Sequence, residues 1–294
     1  MSTALLIVGY GDIGQRVAAL ALAAGRTVSV LVRSSEKAAA LRADGIAAVL
    51  GDLDDTAAPV RELHPAGTTV LYTVPPPGGG EYDVRLRVLL ASIEPGQEPE
   101  KIVYLSTTGV YGDQQGALVT EETPTKATTS RARRRLDAES LLLSWGRNRG
   151  VKIVTLRVSG IYGANRLPLN RLREGAPVLR SEESPFSNRI HADDLSRLCL
   201  VAADQGEDGE IINICDGETS TMTDYFNAVA DAFSLPRPPQ VTMAQAKECM
   251  PPLLLSYFSE SRRLDNRRMR ERLGGELLYP DLASGLAACK KDLV

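Results

Sequence analysis

Histidine is nearly missing from this chain: 294 residues contain only His64 and His191, at no spacing that a metal site uses. A zinc centre is therefore not expected. Cysteine is sparse and scattered, at Cys199, Cys215, Cys249 and Cys289, with no C-x-x-C pair. That excludes a disulfide framework and points to free, buried thiols in a reducing cytoplasm. No long apolar run and no basic leader are present, so neither a membrane span nor a signal peptide is expected. Charge of one sign is lacking too. The formal net charge is −3, which gives no global basic field to recruit nucleic acid. What is there, 43% hydrophobic and 24% charged residues, suits a soluble globular protein. The length allows one large domain with a smaller appendage.

Strand and helix patterns alternate through the first half. Apolar runs at 4–8, 28–32, 46–50, 70–74, 102–105 and 152–157 read as buried strands. Between them lie helical stretches. The first carries a stripe of Ile13, Val17, Leu20 and Ala24 and ends at Gly25; another, 82–92, turns Val84, Val88 and Leu89 inward. Further helices fall at 35–43 and 131–145. This order predicts an α/β fold, a Rossmann-type doubly wound parallel sheet. Past residue 163 the rhythm loosens. A helix begins after Ile190-His191, a strand runs 210–215, and Thr221 with Asp224 reads as a capping box. Residues 259–286 read as helical and Arg-rich. The expected division is a dinucleotide-binding domain of 1–163, joined by 190–216. A small mixed C-terminal lobe of 164–189 and 217–294 would bind the substrate.

The first strand runs into Gly9-Tyr10-Gly11-Asp12-Ile13-Gly14, a G-x-G-x-x-G turn that opens a helix. Gly9 allows the tight turn, Gly11 lets backbone approach a pyrophosphate, and Gly14 permits close helix packing. The helix N-terminus, at Asp12 and Ile13, then offers free N–H groups to the phosphates. The second strand ends in Arg33-Ser34, with Lys37 one turn on, rather than in an acid. A guanidinium takes a 2′-phosphate through paired hydrogen bonds, so NADP(H) is expected over NAD(H). Asp52 and Leu53 follow the third strand and are placed for the adenine. Val74 and Pro75 deliver the chain to the cofactor edge of the sheet.

Four later segments carry a family resemblance. They are Tyr104-Leu-Ser-Thr107-Thr-Gly-Val-Tyr111-Gly112, Leu156-Arg-Val-Ser-Gly-Ile-Tyr162-Gly163, Arg189-Ile-His191-Ala-Asp193-Asp194, and Asn213 with Asp216-Gly217. A closing segment runs from Arg262 to Leu286. In this order they resemble the extended short-chain dehydrogenase/reductase superfamily, also called the NAD-dependent epimerase/dehydratase family. The glycine spacing is closer to its atypical branch. The resemblance implies that Thr107 holds a substrate oxygen, that the protein is a homodimer through sheet-flanking helices, and that the substrate is a small molecule.

The resemblance breaks at the catalytic helix. The family uses a Tyr followed four residues later by a Lys, and no Tyr here has that partner. Matching Glu139 to the family's Glu puts Arg131 at the Tyr position and Arg135 at the Lys position. A guanidinium cannot serve as general acid or base. Arg135 can keep the positive charge of the Lys, Tyr111 or a bound water stands as the replacement proton donor, and Tyr162, in the corresponding loop after the sixth strand, reads as a packed tyrosine. Two readings of Arg131, Arg133, Arg134 and Arg135 stay open: a pocket for an anionic substrate, or a solvated face balanced by Asp137 and Glu139. Two functions also stay open. One is an NADP-dependent oxidoreductase or epimerase of a small anionic carbonyl or nucleotide-sugar substrate, using Thr107, Tyr111 and Arg135. The other is an inactive NADP(H)-binding sensor.

Overall fold

The computed structural model describes residues 4–274 and 276–293. Seven strands form one wholly parallel sheet. They are β1 (Ala4–Val8), β2 (Thr27–Val32), β3 (Ala47–Leu50), β4 (Thr69–Tyr72), β5 (Lys101–Thr107), β6 (Lys152–Val158) and β7 (Glu210–Ile214). Their spatial order is β7-β6-β5-β4-β1-β2-β3, which reverses direction at β1. The register sets Val8 beside Leu31 and Tyr72, so the strand ends line up at one edge. Strand order reverses there, and α/β sheets form their ligand crevice at such a point.

The sheet is covered on both faces, which explains why its strands are apolar throughout rather than alternating. On one face Leu5 and Ile7 of β1 meet α1 (Asp12–Ala23), α2 (Ser35–Ala43) and α5 (Ala192–Gln205). On the other, Leu6 and Val8 meet α3 (Val84–Ala91) and α4 (Ser130–Arg149). Each such fully buried Leu, Ile or Val contributes about 1.5–3 kcal/mol over its exposed state. The stripe that α1 buries is Ile13, Gly14, Val17, Ala18 and Ala21. Leu20 is instead 38% exposed and Ala24 lies past the helix, because the packed face runs through Gly14, Ala18 and Ala21, with Leu20 about 100° round the axis from Ala21. Val84 is likewise exposed, since Asp83 caps α3 and turns Leu86, Leu89 and Leu90 to the core.

A second core gathers Tyr162, Leu172, Val178, Tyr225, Phe226 and Val229 with residues of α8 (Leu282–Asp292). Thr221 and Asp224 form the expected capping box at the start of α6 (Met222–Ala232). The Arg-rich stretch 259–286 is not one helix. It is a short strand, Arg263–Leu264, then α7 (Arg267–Leu273), then α8. Gly274 ends α7 in the left-handed region, where glycine carries no Cβ penalty. Gly275, within that stretch, lies outside the described residues. Met269 and Leu273 of α7 pack into the sheet's own core, so 267–273 returns to the first layer instead of staying with the lobe. Cys199, Cys215 and Cys289 are buried free thiols, whereas Cys249 is exposed. Among the described residues, no helix is long and apolar enough to cross a membrane.

Candidate active site

A cleft of about 710 Å³ runs along the C-terminal ends of β1, β2, β4, β5 and β6. Its floor is the glycine turn. Gly9 has φ +107°, and a Cβ there would lie 2.4 Å from Thr73 Oγ1 and 2.9 Å from Val74 N. Thr73 Oγ1 donates to Gly9 O at 2.7 Å and locks the turn to β4. A Cβ on Gly14 would meet Gly9 O at 2.2 Å. Gly11 differs: a Cβ there meets nothing within 4 Å. Its missing side chain serves the open cleft, not the packing of the protein.

One end of the cleft is charged and wet. Ser34 caps α2, accepting from Lys37 N at 3.2 Å. Lys37 Nζ donates to Tyr10 O at 3.2 Å. Arg33, with 68% of its side chain exposed, meets Asp54 at 3.1 Å. Asp54 also accepts from Arg85 Nε at 2.5 Å and Nη2 at 2.9 Å. The Arg85 hydrogen bonds, with the Arg33 charge, hold the Asp54 carboxyl below the usual range. At the middle, burial would raise the Asp12 carboxyl, yet hydrogen bonds from Arg166 and Arg16 outweigh it and lower its pKa. Arg166 reaches Asp12 at 2.6 Å from the loop that leads to the lobe.

The other end is dry. Arg135 Nη1 donates to Leu105 O at 2.8 Å and to the Tyr104 hydroxyl at 3.2 Å. Burial, against the pull of Arg135, pushes the Tyr104 phenol up to about 12. Beneath lies a buried network. Ser106 Oγ donates to Glu139 at 2.5 Å, and Arg157 Nη2 reaches the other Glu139 oxygen at 2.8 Å. The Arg157 guanidinium stands 4.8 Å from the Tyr111 ring centroid, and the Tyr111 hydroxyl donates to Asn213 Oδ1 at 2.8 Å.

Gly9, Gly11, Asp12, Ile13, Gly14, Arg33, Ser34, Asp52, Leu53, Val74 and Pro75 all line this one cleft, with Arg135. Tyr111 does not. Its ring is fully buried in a separate apolar cluster and its hydroxyl is committed to Asn213, so it is no proton donor to the cleft. Tyr162 is also buried, packed in the lobe beside His191. Thr107 is half-buried just beyond the lining, its oxygen accepting from Gly109 N at 3.2 Å. Burial lowers the His191 pKa. Its Nδ1 accepts from Asp193 N and its Nε2 lies 3.6 Å from Cys289 Sγ, a junction role.

The four arginines of α4 do not form one pocket. Successive residues turn about 100° around a helix, so each goes elsewhere. Arg131 lies 4.0 Å from the Tyr257 ring centroid and Arg133 pairs with Glu81. Arg134 donates to Gly80 O and only Arg135 enters the cleft. Asp137 and Glu139 do not balance them: Asp137 pairs with Arg87, and Glu139 with Arg157. Sequence reasoning missed Asp54, Arg85, Ser106 and Arg166 as cleft residues. Asp54 lies two residues past Asp52 and Ser106 one before Thr107, so those loops were in view. Arg85 and Arg166 carry no local signal.

A model of the NAD dependent epimerase/dehydratase family matches residues 80–215, and a TrkA-N domain model matches residues 5–62. The protein YeeZ of Escherichia coli K12 is 27% identical over 181 residues, 62% of this chain and 59% of YeeZ. The trifunctional UDP-glucose 4,6-dehydratase/epimerase/reductase RHM1 of Arabidopsis thaliana is 23% identical over 159 residues. That match covers 50% of this chain and 24% of the plant protein, so the chain spans only a part of these relatives. Among solved structures, a conserved protein of unknown function from Silicibacter pomeroyi has a TM-score of 0.83 at 29% identity over 98% of both chains. The dTDP-glucose 4,6-dehydratase DesIV of Streptomyces venezuelae, solved with NAD, has a TM-score of 0.77 at 20% identity, over 98% of this chain and 95% of its own. The fold and the strand-end cleft agree with those of the solved structures, and residues 80–215 of the chain are similar to the NAD-dependent epimerase/dehydratase family.

Proposed function

We propose that this chain binds NADP(H) and acts on a nucleotide-sugar or other small anionic carbonyl substrate, as an atypical oxidoreductase or epimerase. The observation that carries the cofactor is the charged end of the cleft: Arg33, Ser34 and Lys37 converge where an adenosine 2′-phosphate would sit. The space above Gly11 fits a pyrophosphate, and the α1 N-terminus offers it N–H groups and a partial positive charge. Bound NADP(H) would exchange a hydride at its nicotinamide. Arg135 presents a fixed positive charge at that end, held by Leu105 O and Tyr104. Thr107 accepts from Gly109 N, which leaves its hydroxyl proton to be donated to a substrate oxygen. The test is a titration with NADPH and NADH, followed by nicotinamide fluorescence, on the wild type and Arg33→Glu. NADPH binding that the variant loses supports the reading; equal affinity in both proteins sinks it.

A second reading, a redox sensor that holds NADP(H) without turnover, is favoured by two observations. Tyr111, the candidate replacement acid, is sealed away, and Arg131 at the family's Tyr position is stacked on Tyr257. Steady NADPH oxidation with a UDP-4-keto sugar or a small keto acid would eliminate it.

A further inference from the structure

The charged end of the cleft contains a carboxylate that competes for the arginine meant for phosphate. We propose that Asp54 sets the cofactor preference, by holding Arg33 in the free protein and yielding it to a 2′-phosphate. This rests on the NADP(H) reading above and deepens it.

The geometry of the Arg33–Asp54–Arg85 group supports the exchange. Asp54 Oδ2 is shared between Arg33 Nη1 at 3.1 Å and Arg85 Nη2 at 2.9 Å. Arg85 adds a second, shorter bond to Oδ1 at 2.5 Å, so its grip is the two-pronged one. Arg85 is also fixed at its far side, donating to Pro75 O at 2.9 Å. Its side chain is 22% exposed, against 68% for Arg33. A paired guanidinium–carboxylate contact outlasts a single exposed one. The bond that breaks is therefore Arg33–Asp54, and Asp54 stays satisfied by Arg85 when Arg33 leaves. All three residues line the cleft.

The consequence runs in two directions. A phosphate on Arg33 lies within a few ångströms of the Asp54 charge and is repelled by it. A ribose 2′-hydroxyl without phosphate can instead donate to Asp54 Oδ2, the way a carboxylate recognises an unphosphorylated ribose. Asp54 thus weakens NADPH and favours NADH, and Arg85 moderates it by neutralising its charge. The net preference is the balance of the three.

The experiment measures dissociation constants for NADPH and NADH with the whole chain as wild type, Asp54→Asn and Arg85→Gln, each checked by thermal melting. Asp54→Asn should raise the NADPH-to-NADH affinity ratio roughly fivefold, the size expected for one partly exposed charge pair. Arg85→Gln should lower that ratio by a similar factor, because Asp54 then keeps Arg33. Opposite movement of the ratio is something a loss of structure would not produce. An unchanged ratio in both variants, with a wild type that prefers NADPH, overturns the role of Asp54. A wild type that prefers NADH, or binds neither, overturns the phosphate reading itself.

Discussion

The two ends of the cleft are built from opposite materials. At the charged end, Arg33, Asp54 and Arg85 are at least partly exposed and pair with one another across loops, and the exposed Lys37 donates to Tyr10 O. At the dry end, Ser106, Glu139 and Arg157 are almost fully buried and bond one another, and the Tyr111 hydroxyl beside them donates to Asn213 Oδ1. Charges in water are cheap to rearrange, and charges in a dry interior are not. The first end is therefore organised for binding, and the second holds the scaffold together beneath the place where chemistry would occur.

The sharpest way to break that comparison is Glu139→Ala. It strips the partner from a buried guanidinium and should cost about 3–5 kcal/mol, read as a lower midpoint in urea unfolding. A loss under 1 kcal/mol would mean that water already reaches Arg157. Gly14→Ala comes next: its Cβ would lie 2.2 Å from Gly9 O, and the strain should cost about 1–3 kcal/mol along with cofactor binding. Its counterpart, Gly11→Ala, meets no protein atom. It should leave stability within about 0.5 kcal/mol of wild type while NADPH affinity falls, and this separates a glycine kept for a ligand from one kept for packing.

The lobe junction supplies a pH-dependent contrast. Burial, opposed by the Glu218 N–H and the Arg189 charge and joined by the Glu218 charge, pushes Asp216 up to about 7. The folded protein then holds a proton that the unfolded chain has released, so the contribution of Asp216 to stability is fully present at low pH. That contribution should fall as pH rises from about 4 through 7, by an amount on the order of 4 kcal/mol for a shift of about three pKa units. Asp216→Asn should flatten that slope in thermal melts taken across the range. A slope that persists would assign it to other groups. The smallest effect is that of Arg33→Glu on stability, within about 0.5 kcal/mol, although its effect on NADPH binding should be large.

Much of the first half was legible because its signals are local. The β1–turn–α1 unit, the Arg33-Ser34 strand end and the Asp52-Leu53 loop each depend on residues adjacent in sequence, and all fall in the cleft. The span of α2, 35–43, came from the same kind of signal. The Thr221–Asp224 capping box was legible for the same reason. Legibility failed where one residue's role depends on a distant one. The stretch 259–286 read as one helix because its Arg and Glu spacing suits a helix. The true partners of those charges lie elsewhere: Arg272 pairs with Glu207 and Glu210, and Arg268 with Glu121 and Glu122.

The sequence by itself determined the parallel sheet, the glycine turn between β1 and α1 and the absence of a Tyr followed four residues later by a Lys. Those follow from backbone preferences and from residue identity, which act within a few positions along the chain. Only the tertiary structure decided which hydroxyls and charges face the cleft. It turned Tyr111 onto Asn213, dispersed the four arginines of α4, and brought Asp54, Arg85 and Arg33 together from three separate segments. The direction of a side chain is set by whichever partner satisfies it most fully once water is gone, and that partner can lie a hundred residues away.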